Sequence, residues 1–207
     1  DVPLVHKRLG NLHYAEAHRK PNAVYPNGAG FYFEISRGAL CAGNVFYNCD
    51  TGVHLRNAAD VEMINNTFVN SQVLIGRTAR TASGDHFDWH PDTGPGIDER
   101  TGHVFKNNLL VGDPSYRKPL LNVWQPVNLC GRIQTQQLRS LDNNVYVRQS
   151  AGNTPLLVWS PLEHSECRDS LDTLDDLRKM HPEFAQNSLV LNGYHGPLFK
   201  SMALDDF

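Results

Sequence analysis

The chain has 207 residues, of which 40% are hydrophobic, enough for the core of a single domain. Charged residues make up 20% of the chain, and the formal net charge is −3 with both signs interspersed, so neither disorder nor a nucleic-acid partner is expected. No apolar run approaches the roughly 20 residues of a membrane-spanning helix, so no membrane partner is expected either.

The first residues are typical of a strand that begins part-way through a repeat. The chain starts at Asp1 without a methionine or a signal-peptide pattern, and the segment Asp1-Val-Pro-Leu-Val5 has no capping segment before it. We therefore expect further N-terminal coils to precede Asp1, either in the same protein or carried by a partner chain.

Five segments along the chain share an asparagine followed by an apolar run. They begin at Asn11, Asn44, Asn66, Asn108 and Asn144. The shortest spacing, 66 − 44 = 22 residues, is about one coil of a β-helix, and the longer spacings indicate inserted loops. Asparagine tolerates the left-handed conformation at tight bends, and stacked asparagines can form a hydrogen-bonded ladder. The pattern predicts an all-β parallel β-helix. A β-sandwich with Asn-rich turns is the alternative, but it does not explain the 22-residue repeat.

We expect the β-helix to occupy residues 1–169 and a C-terminal helix with a closing segment to occupy residues 170–207. Residues 171, 174, 177 and 180 are apolar, which is helical spacing. Ser170 or a nearby Asp would begin this helix and Pro182 would end it. Such a helix would shield the last coil, whose exposed strand edges would otherwise favour aggregation.

Residues 76–103 are predicted to form an inserted loop, because they are too long and too rich in Gly and Pro for a turn. Long loops in compact domains are usually functional. The residues expected to bind substrate there are Arg77, His86, Asp88, Trp89 and His90. Trp89 packed onto the sheet as an anchor is an equal alternative. The two histidines have metal-ligand spacing only on a helix, and Pro91 indicates a loop, so no metal is expected.

The cysteines and the other tryptophans favour structural roles. Cys41, Cys49, Cys130 and Cys167 form neither a zinc motif nor a redox pair, so buried thiols or one disulfide are expected, and the compartment stays open. Trp124 and Trp159 lie on predicted strands or at their edges, where core packing is expected.

The repeat serves as a ruler for the candidate catalytic residues. Glu34 lies 44 − 34 = 10 residues before its asparagine, and Asp1 and Arg56 have the same offset in their own repeats. Residues in register on adjacent strands are ~4.8 Å apart. Asp1 and Glu34 would then form a pair at the ~5–5.5 Å of a retaining glycosidase, with Arg56 holding a substrate hydroxyl or keeping a carboxylate ionised. The alternative is that Glu34 points to solvent and Asp1 is only the end of the sequence.

The run Gly30-Phe-Tyr-Phe-Glu-Ile-Ser-Arg-Gly-Ala-Leu-Cys-Ala-Gly-Asn-Val-Phe-Tyr-Asn48 resembles the pectin-lyase-like, right-handed parallel β-helix superfamily. Within that superfamily it is most similar to glycoside hydrolases of the β-helical β-xylosidase type. Those enzymes carry an Asp-bearing strand and, one coil later, an apolar-Glu-apolar strand followed by Gly and an Asn-apolar run. The resemblance spans roughly residues 1–150, and Gly196-Pro-Leu-Phe199 is similar to their closing segment.

The resemblance implies a retaining glycoside hydrolase acting on a polysaccharide or oligosaccharide, with Glu34 and Asp1 as catalytic carboxylates and no cofactor. We also expect a secreted or periplasmic protein of bacterial origin. Two alternatives remain. One is a polysaccharide lyase that uses Arg56, Arg77 and His86, or Ca²⁺, although a glutamate at the strand centre would repel a uronate. The other is a non-catalytic carbohydrate-binding or adhesin module.

Overall fold

The computed structural model describes residues 29–78, 100–150 and 154–199. These residues form strands in three sheets and two short helices, α1 (Val127–Cys130) and α2 (Leu174–Met180). Sheet A contains β1 (Ala29–Glu34), β4 (Thr51–Arg56), β7 (Gln72–Gly76), β10 (Leu121–Trp124), β13 (Leu157–Trp159) and β14 (Asp169–Leu171). Sheet B contains β2 (Arg37–Ala42), β5 (Ala59–Ile64), β8 (His103–Lys106) and β11 (Leu138–Asp142). Sheet C contains β3 (Val45–Tyr47), β6 (Thr67–Val69), β9 (Leu109–Gly112), β12 (Val145–Arg148) and β15 (Leu189–Asn192).

From β1 to β13 the chain visits the three sheets in a fixed order, A then B then C. We call three consecutive strands, one in each sheet, a repeat. Each strand pairs in parallel with the equivalent strand of the next repeat, as β1 does with β4 and β2 with β5. The antiparallel pair β13–β14 is the exception among the described strands. This arrangement is all-β, as the sequence predicts, and it is compatible with a β-helix or a related solenoid fold.

A ladder of buried asparagines runs along the repeats. The Nδ2 group donates to the Oδ1 atom of the next asparagine at 3.1 Å in each of three steps, from Asn44 to Asn66, to Asn108 and to Asn144. In each of these steps the backbone N–H of the donor asparagine also donates to the Oδ1 atom of the next asparagine, at 2.9–3.1 Å. All four residues are at most 7% exposed. The predicted ladder is confirmed for these four, and Asn11 lies outside the described residues.

The ladder amides also bind the sheet B strand of the previous repeat. The Nδ2 groups of Asn66, Asn108 and Asn144 donate to the carbonyls of Cys41, Met63 and Phe105 at 2.8–3.0 Å. Each internal amide therefore has two donated and two accepted hydrogen bonds. Because a buried polar group without partners is costly, this complete set of bonds allows the amides to sit inside an apolar core.

The tight bends use a different set of residues from the ladder. The residue just before each ladder asparagine has a positive φ, between 56° and 67°, at Gly43, Asn65, Asn107 and Asn143. Glycine and asparagine are the residues that adopt this conformation at least cost. The bend residue turns the chain, and the next residue, the ladder asparagine, points inward.

The core is a continuous apolar column inside the three sheets. On sheet C, Phe46, Phe68, Leu110 and Tyr146 occupy equivalent positions in successive repeats, and none of them is exposed. The rings of Phe46 and Phe68 stack with centroids 4.9 Å apart. Full burial of such a side chain contributes roughly 1.5–3 kcal/mol, so the column is the main favourable term in folding.

The predicted C-terminal helix is shorter than expected. Residues 169–171 form β14, and α2 begins only after Thr173, whose Oγ1 atom accepts from the N–H of Asp176 at 3.2 Å. The predicted start at Ser170 is therefore wrong, because pairing with β13 buries Leu171 in a strand. The predicted end is confirmed, since α2 stops before Pro182.

The segment from α2 to residue 188 covers the end of the core. Leu174 and Leu177 are buried in the main core, and the Phe184 ring lies 5.5 Å from the ring of Trp159. The N–H of Ala185 donates to the carbonyl of Leu141 on β11. The expected shielding of the last coil is confirmed, and so is the core position of Trp159, which is not exposed at all.

Buried thiols or one disulfide were expected for the four cysteines, and the structure contains one disulfide. Cys130 at the end of α1 is bonded to Cys167, just before β14, with their Cα atoms 6.0 Å apart. Cys41 and Cys49 are buried free thiols.

The C-terminal residues pack on the outside of sheet C. Val69, Val111 and Val147 form a second apolar cluster on that face, separate from the core. Tyr194, Leu198 and Phe199 lie against this cluster, as partly buried side chains. After β15 the chain therefore turns away from the end of the sheet and lies along its outer face.

We predict that Asn66→Ala lowers the free energy of unfolding by about 3–5 kcal/mol, because two donors of Asn44 and the carbonyl of Cys41 lose their partner inside the core. Urea unfolding followed by circular dichroism measures this. Asn192→Ala, on the exposed end of β15, is the matched control and should change stability by less than about 0.5 kcal/mol. Equal stability of the two variants would contradict a structural role for the ladder.

Candidate functional site

The candidate site is the outer face of sheet A, where side chains of neighbouring strands line up in two rows. On β1, Phe31 is directed into the core and Tyr32 is exposed, as the alternation of a strand requires. The residues paired along the two rows are Tyr32, His54, Leu74 and Asn122 in the first and Glu34, Arg56, Gly76 and Trp124 in the second.

Glu34 and Arg56 are neighbours in the second row, as the sequence predicts. They are register partners on β1 and β4, and the Arg56 Nε atom lies 3.6 Å from Glu34 Oε1. The phenolic O–H of Tyr32 donates to Glu34 Oε2 at 2.6 Å. The Glu34 side chain is only 13% exposed, although it lies on the outer face. Two neighbours therefore hold its carboxylate in a fixed orientation at the surface of the sheet.

The two rings of the first row have shifted proton affinities. Burial, and then the hydrogen bond to Glu34, raise the pKa of Tyr32 to about 12. Burial, and then the charge of Arg56, lower the pKa of His54 to about 4. The rings meet edge to face with centroids 4.9 Å apart. Near neutral pH the site therefore presents a phenol that donates a hydrogen bond and an uncharged imidazole.

Trp124 lies on this outer face and not in the core, so its predicted core position is wrong. Its indole covers Gly76, since a Cβ atom at that glycine would come within 2.5 Å of Trp124 Nε1. In the segment Leu121-Asn-Val-Trp124, Leu121 and Val123 are buried, and Asn122 and Trp124 alternate with them. That alternation in the sequence is the signal that places Trp124 beside the site.

Arg77 was predicted to bind substrate, and this is wrong. The residue lies inside the protein and is 1% exposed, so a substrate cannot reach it. Its Nε atom donates to the carbonyl of Arg100 at 2.9 Å. Its Nη1 atom donates to Gln125 Oε1 at 3.0 Å and to the carbonyl of Thr135 at 2.8 Å. Arg77 therefore joins three segments of the chain. A guanidinium with several donors in a rigid fork suits such a structural role.

Five predicted site residues lie outside the described residues, namely Asp1, His86, Asp88, Trp89 and His90. Their roles stay predictions. Within residues 29–78, 100–150 and 154–199, no group of three or more His, Cys, Asp or Glu side chains is arranged to hold a metal ion. In the same part of the chain, no helix is long and apolar enough to cross a membrane. Tyr32, His54 and Asn122 share the face with Glu34 but were not among the predicted site residues, and Trp124 was expected in the core.

No protein-family model, curated protein or solved structure matches this chain. The likeness to pectin-lyase-like enzymes therefore depends on the residues quoted for it.

We predict that the protein loses stability in mild acid through the buried His103. Burial, and then the charge of Arg77, lower the pKa of His103 from 6.5 to about 4. The unfolded chain therefore takes up this proton first, and stability falls as the pH drops from 6.5 towards 4, by about 3 kcal/mol for this residue. Urea unfolding between pH 7.5 and 4 measures the slope.

His103→Gln should reduce that slope, because its amide oxygen can still accept the N–H of Val61 without titrating, and the part contributed by His54, whose pKa is also lowered to about 4, should remain. The exposed His195 gives the matched control, and His195→Gln should leave the slope unchanged. If both variants keep the full acid sensitivity, His103 is not its source.

Proposed function

We propose that this protein is a glycoside hydrolase, folded as a right-handed parallel β-helix, that cleaves a polysaccharide or oligosaccharide on the outer face of sheet A. The observation that carries the proposal is the Glu34 carboxylate, held between the Tyr32 hydroxyl and Arg56 on a face that also carries Trp124. The fold proposal is supported by the fixed order of the sheets and by the asparagine ladder. Charged side chains inside apolar strands generally serve a purpose, and this one is oriented by two partners.

Glu34 is proposed as the acid/base residue of a retaining mechanism. Its Oε2 atom accepts a hydrogen bond from the Tyr32 phenol, which orients the group that would act as general base when water attacks the glycosyl intermediate. In the first step the acid protonates the leaving group while a second carboxylate about 5 Å away attacks the sugar. Asp1 is proposed as that second carboxylate and as the nucleophile, because its register offset equals that of Glu34.

The rest of the face is suited to hold the sugar chain. The rows run along the stacking direction, so Trp124 lies three strand spacings, or roughly 14 Å, from Glu34. An indole offers an apolar face to a pyranose ring, and Arg56 offers donors to its hydroxyls. The distance favours an oligomeric substrate over a single sugar. His86, Asp88, Trp89 and His90 are proposed as further binding residues from the insertion.

We predict that Glu34→Gln lowers kcat on aryl glycosides by roughly 10²–10⁴-fold while KM stays within a few-fold, because the amide cannot transfer the proton. A panel of aryl glycosides that differ in the sugar, with release of the phenol as the readout, tests this. Glu62 gives the matched control, since it is also a glutamate in a six-residue strand, but on sheet B. Glu62→Gln should keep full turnover, and unchanged turnover in Glu34→Gln would exclude the acid/base role.

The second candidate is a polysaccharide lyase on the same face, favoured by one observation. His54 is uncharged near neutral pH and lies beside Arg56, so a base and a cation for a uronate carboxylate stand side by side. The Glu34 carboxylate between Tyr32 and Arg56 opposes this reading, because it would repel the uronate.

Ultraviolet absorbance of an unsaturated uronate product distinguishes the two reactions. For a hydrolase we predict no growth of absorbance on uronate polymers, with or without Ca²⁺ or a chelator. Growth that is lost in His54→Gln and kept in Glu34→Gln would assign the face to a lyase.

The proposed location is outside the cytoplasm, either secreted or periplasmic. The Cys130–Cys167 disulfide supports this, because disulfides persist in oxidising compartments.

A further inference from the structure

The last strand of sheet C has an open edge. One edge of β15 pairs with β12, where the N–H groups of Leu189 and Gly193 donate to carbonyls of the preceding repeat at 2.9 and 2.7 Å. Alternate N–H groups of a strand point to opposite edges, so the backbone groups of Val190 and Asn192 point away from β12. Within the described residues, no strand pairs with this second edge.

On the other two sheets this end of the fold is partly covered by the chain itself. Sheet A turns back through the antiparallel strand β14. On sheet B, the carbonyl of Leu141 on β11 accepts from Ala185. After β15 the chain leaves at Gly193, with φ +67°, and residues as far as Phe199 lie on the outer face of sheet C. The chain as far as Phe199 therefore leaves the edge of β15 open.

A groove of about 620 Å³ runs beside the open edge. β15 forms one wall, and residues 172–175 and 186–188 form the other. This volume is within the range of ligand sites and corresponds to roughly twenty water molecules, so it suits a short peptide rather than an ion. The four residues of β15 span ~13 Å, which is the length that an added strand would pair with.

The charges and apolar groups of the groove indicate which peptide fits. Arg178 is engaged within the protein, since it pairs with Asp175 at 2.8 Å and donates to the carbonyls of Ala185 and Ser188. Asp172 is exposed in the groove wall, and none of the described cations forms an ion pair with it. Leu189 is 60% exposed at the start of β15. The wall thus offers one acidic position beside an apolar strand.

We propose that β15 binds an extended peptide segment of another protein by strand addition, and that this segment alternates apolar with basic residues. Backbone bonds to Val190 and Asn192 supply affinity, and a Lys or Arg opposite Asp172 supplies selectivity. A second copy of this chain is a poorer occupant, because the walls at 172–175 and 186–188 flank the strand, and a recess admits a single strand more readily than the edge of a whole sheet.

The first experiment measures binding of a fluorescein-labelled peptide of alternating valine and lysine to the full chain by fluorescence anisotropy. We expect saturable binding. Methylation of every second backbone nitrogen of the peptide should weaken it by at least about tenfold, since each lost hydrogen bond is worth about a factor of five. Val190→Pro should weaken binding similarly by removing an edge donor, whereas Val190→Thr, which keeps the N–H, should bind as the parent chain does.

The second experiment separates charge from backbone pairing. Asp172→Asn should weaken binding of the valine–lysine peptide several-fold and leave a valine–threonine peptide unaffected. Binding that ignores both peptide methylation and Val190→Pro would overturn the proposal, even if that variant is poorly folded, because the methylated peptide tests the parent chain. A dimer in analytical ultracentrifugation that Val190→Pro abolishes would overturn it too, by assigning the edge to a second copy.

Discussion

The hydrogen bond between one buried asparagine and the next, at 3.1 Å along four repeats, is the constraint on which the fold depends. A side-chain amide is short, so it reaches its equivalent only when neighbouring repeats are in register at the strand spacing. A slip of one residue would turn every side chain of a strand to the opposite face. The ladder therefore determines which residues line the core and which form the outer face of sheet A.

The same constraint explains how far the sequence alone could lead. The ladder asparagines and the stacking of Glu34 on Arg56 are confirmed because they follow from a short local offset to a repeated residue. In the first two described repeats nothing interrupts that offset. Sequence periodicity is reliable where every repeat has the same length and the buried amide enforces the register.

The ten-residue offset to the ladder asparagine failed as a predictor where the chain departs from the repeat. Trp124 stands on β10, beyond the insertion between β7 and β8, and Gly76, its register partner, precedes that insertion. Counting back ten residues from Asn144, the asparagine of its own repeat, leads to Gln134, because α1 lengthens this repeat, so the offset could not place Trp124. Its place in the row of Glu34 follows from pairing between strands far apart in sequence. The predicted start of α2 was wrong for a related reason, since residues 169–171 pair with β13 although their spacing is helical.

The prediction that Arg77 binds substrate was wrong because its neighbours in space are distant in sequence. Its position has a broader consequence. It donates to the carbonyl of Arg100, so the described chain on either side of residues 79–99 is joined by a hydrogen bond. The entropic cost of bringing the two ends of such a segment together grows only slowly with the length of the segment. The segment between the two arginines can therefore change in length or composition without disturbing the register of the strands. This corner of the molecule is therefore a site of evolvability, where new specificities can be tried while the scaffold stays unchanged.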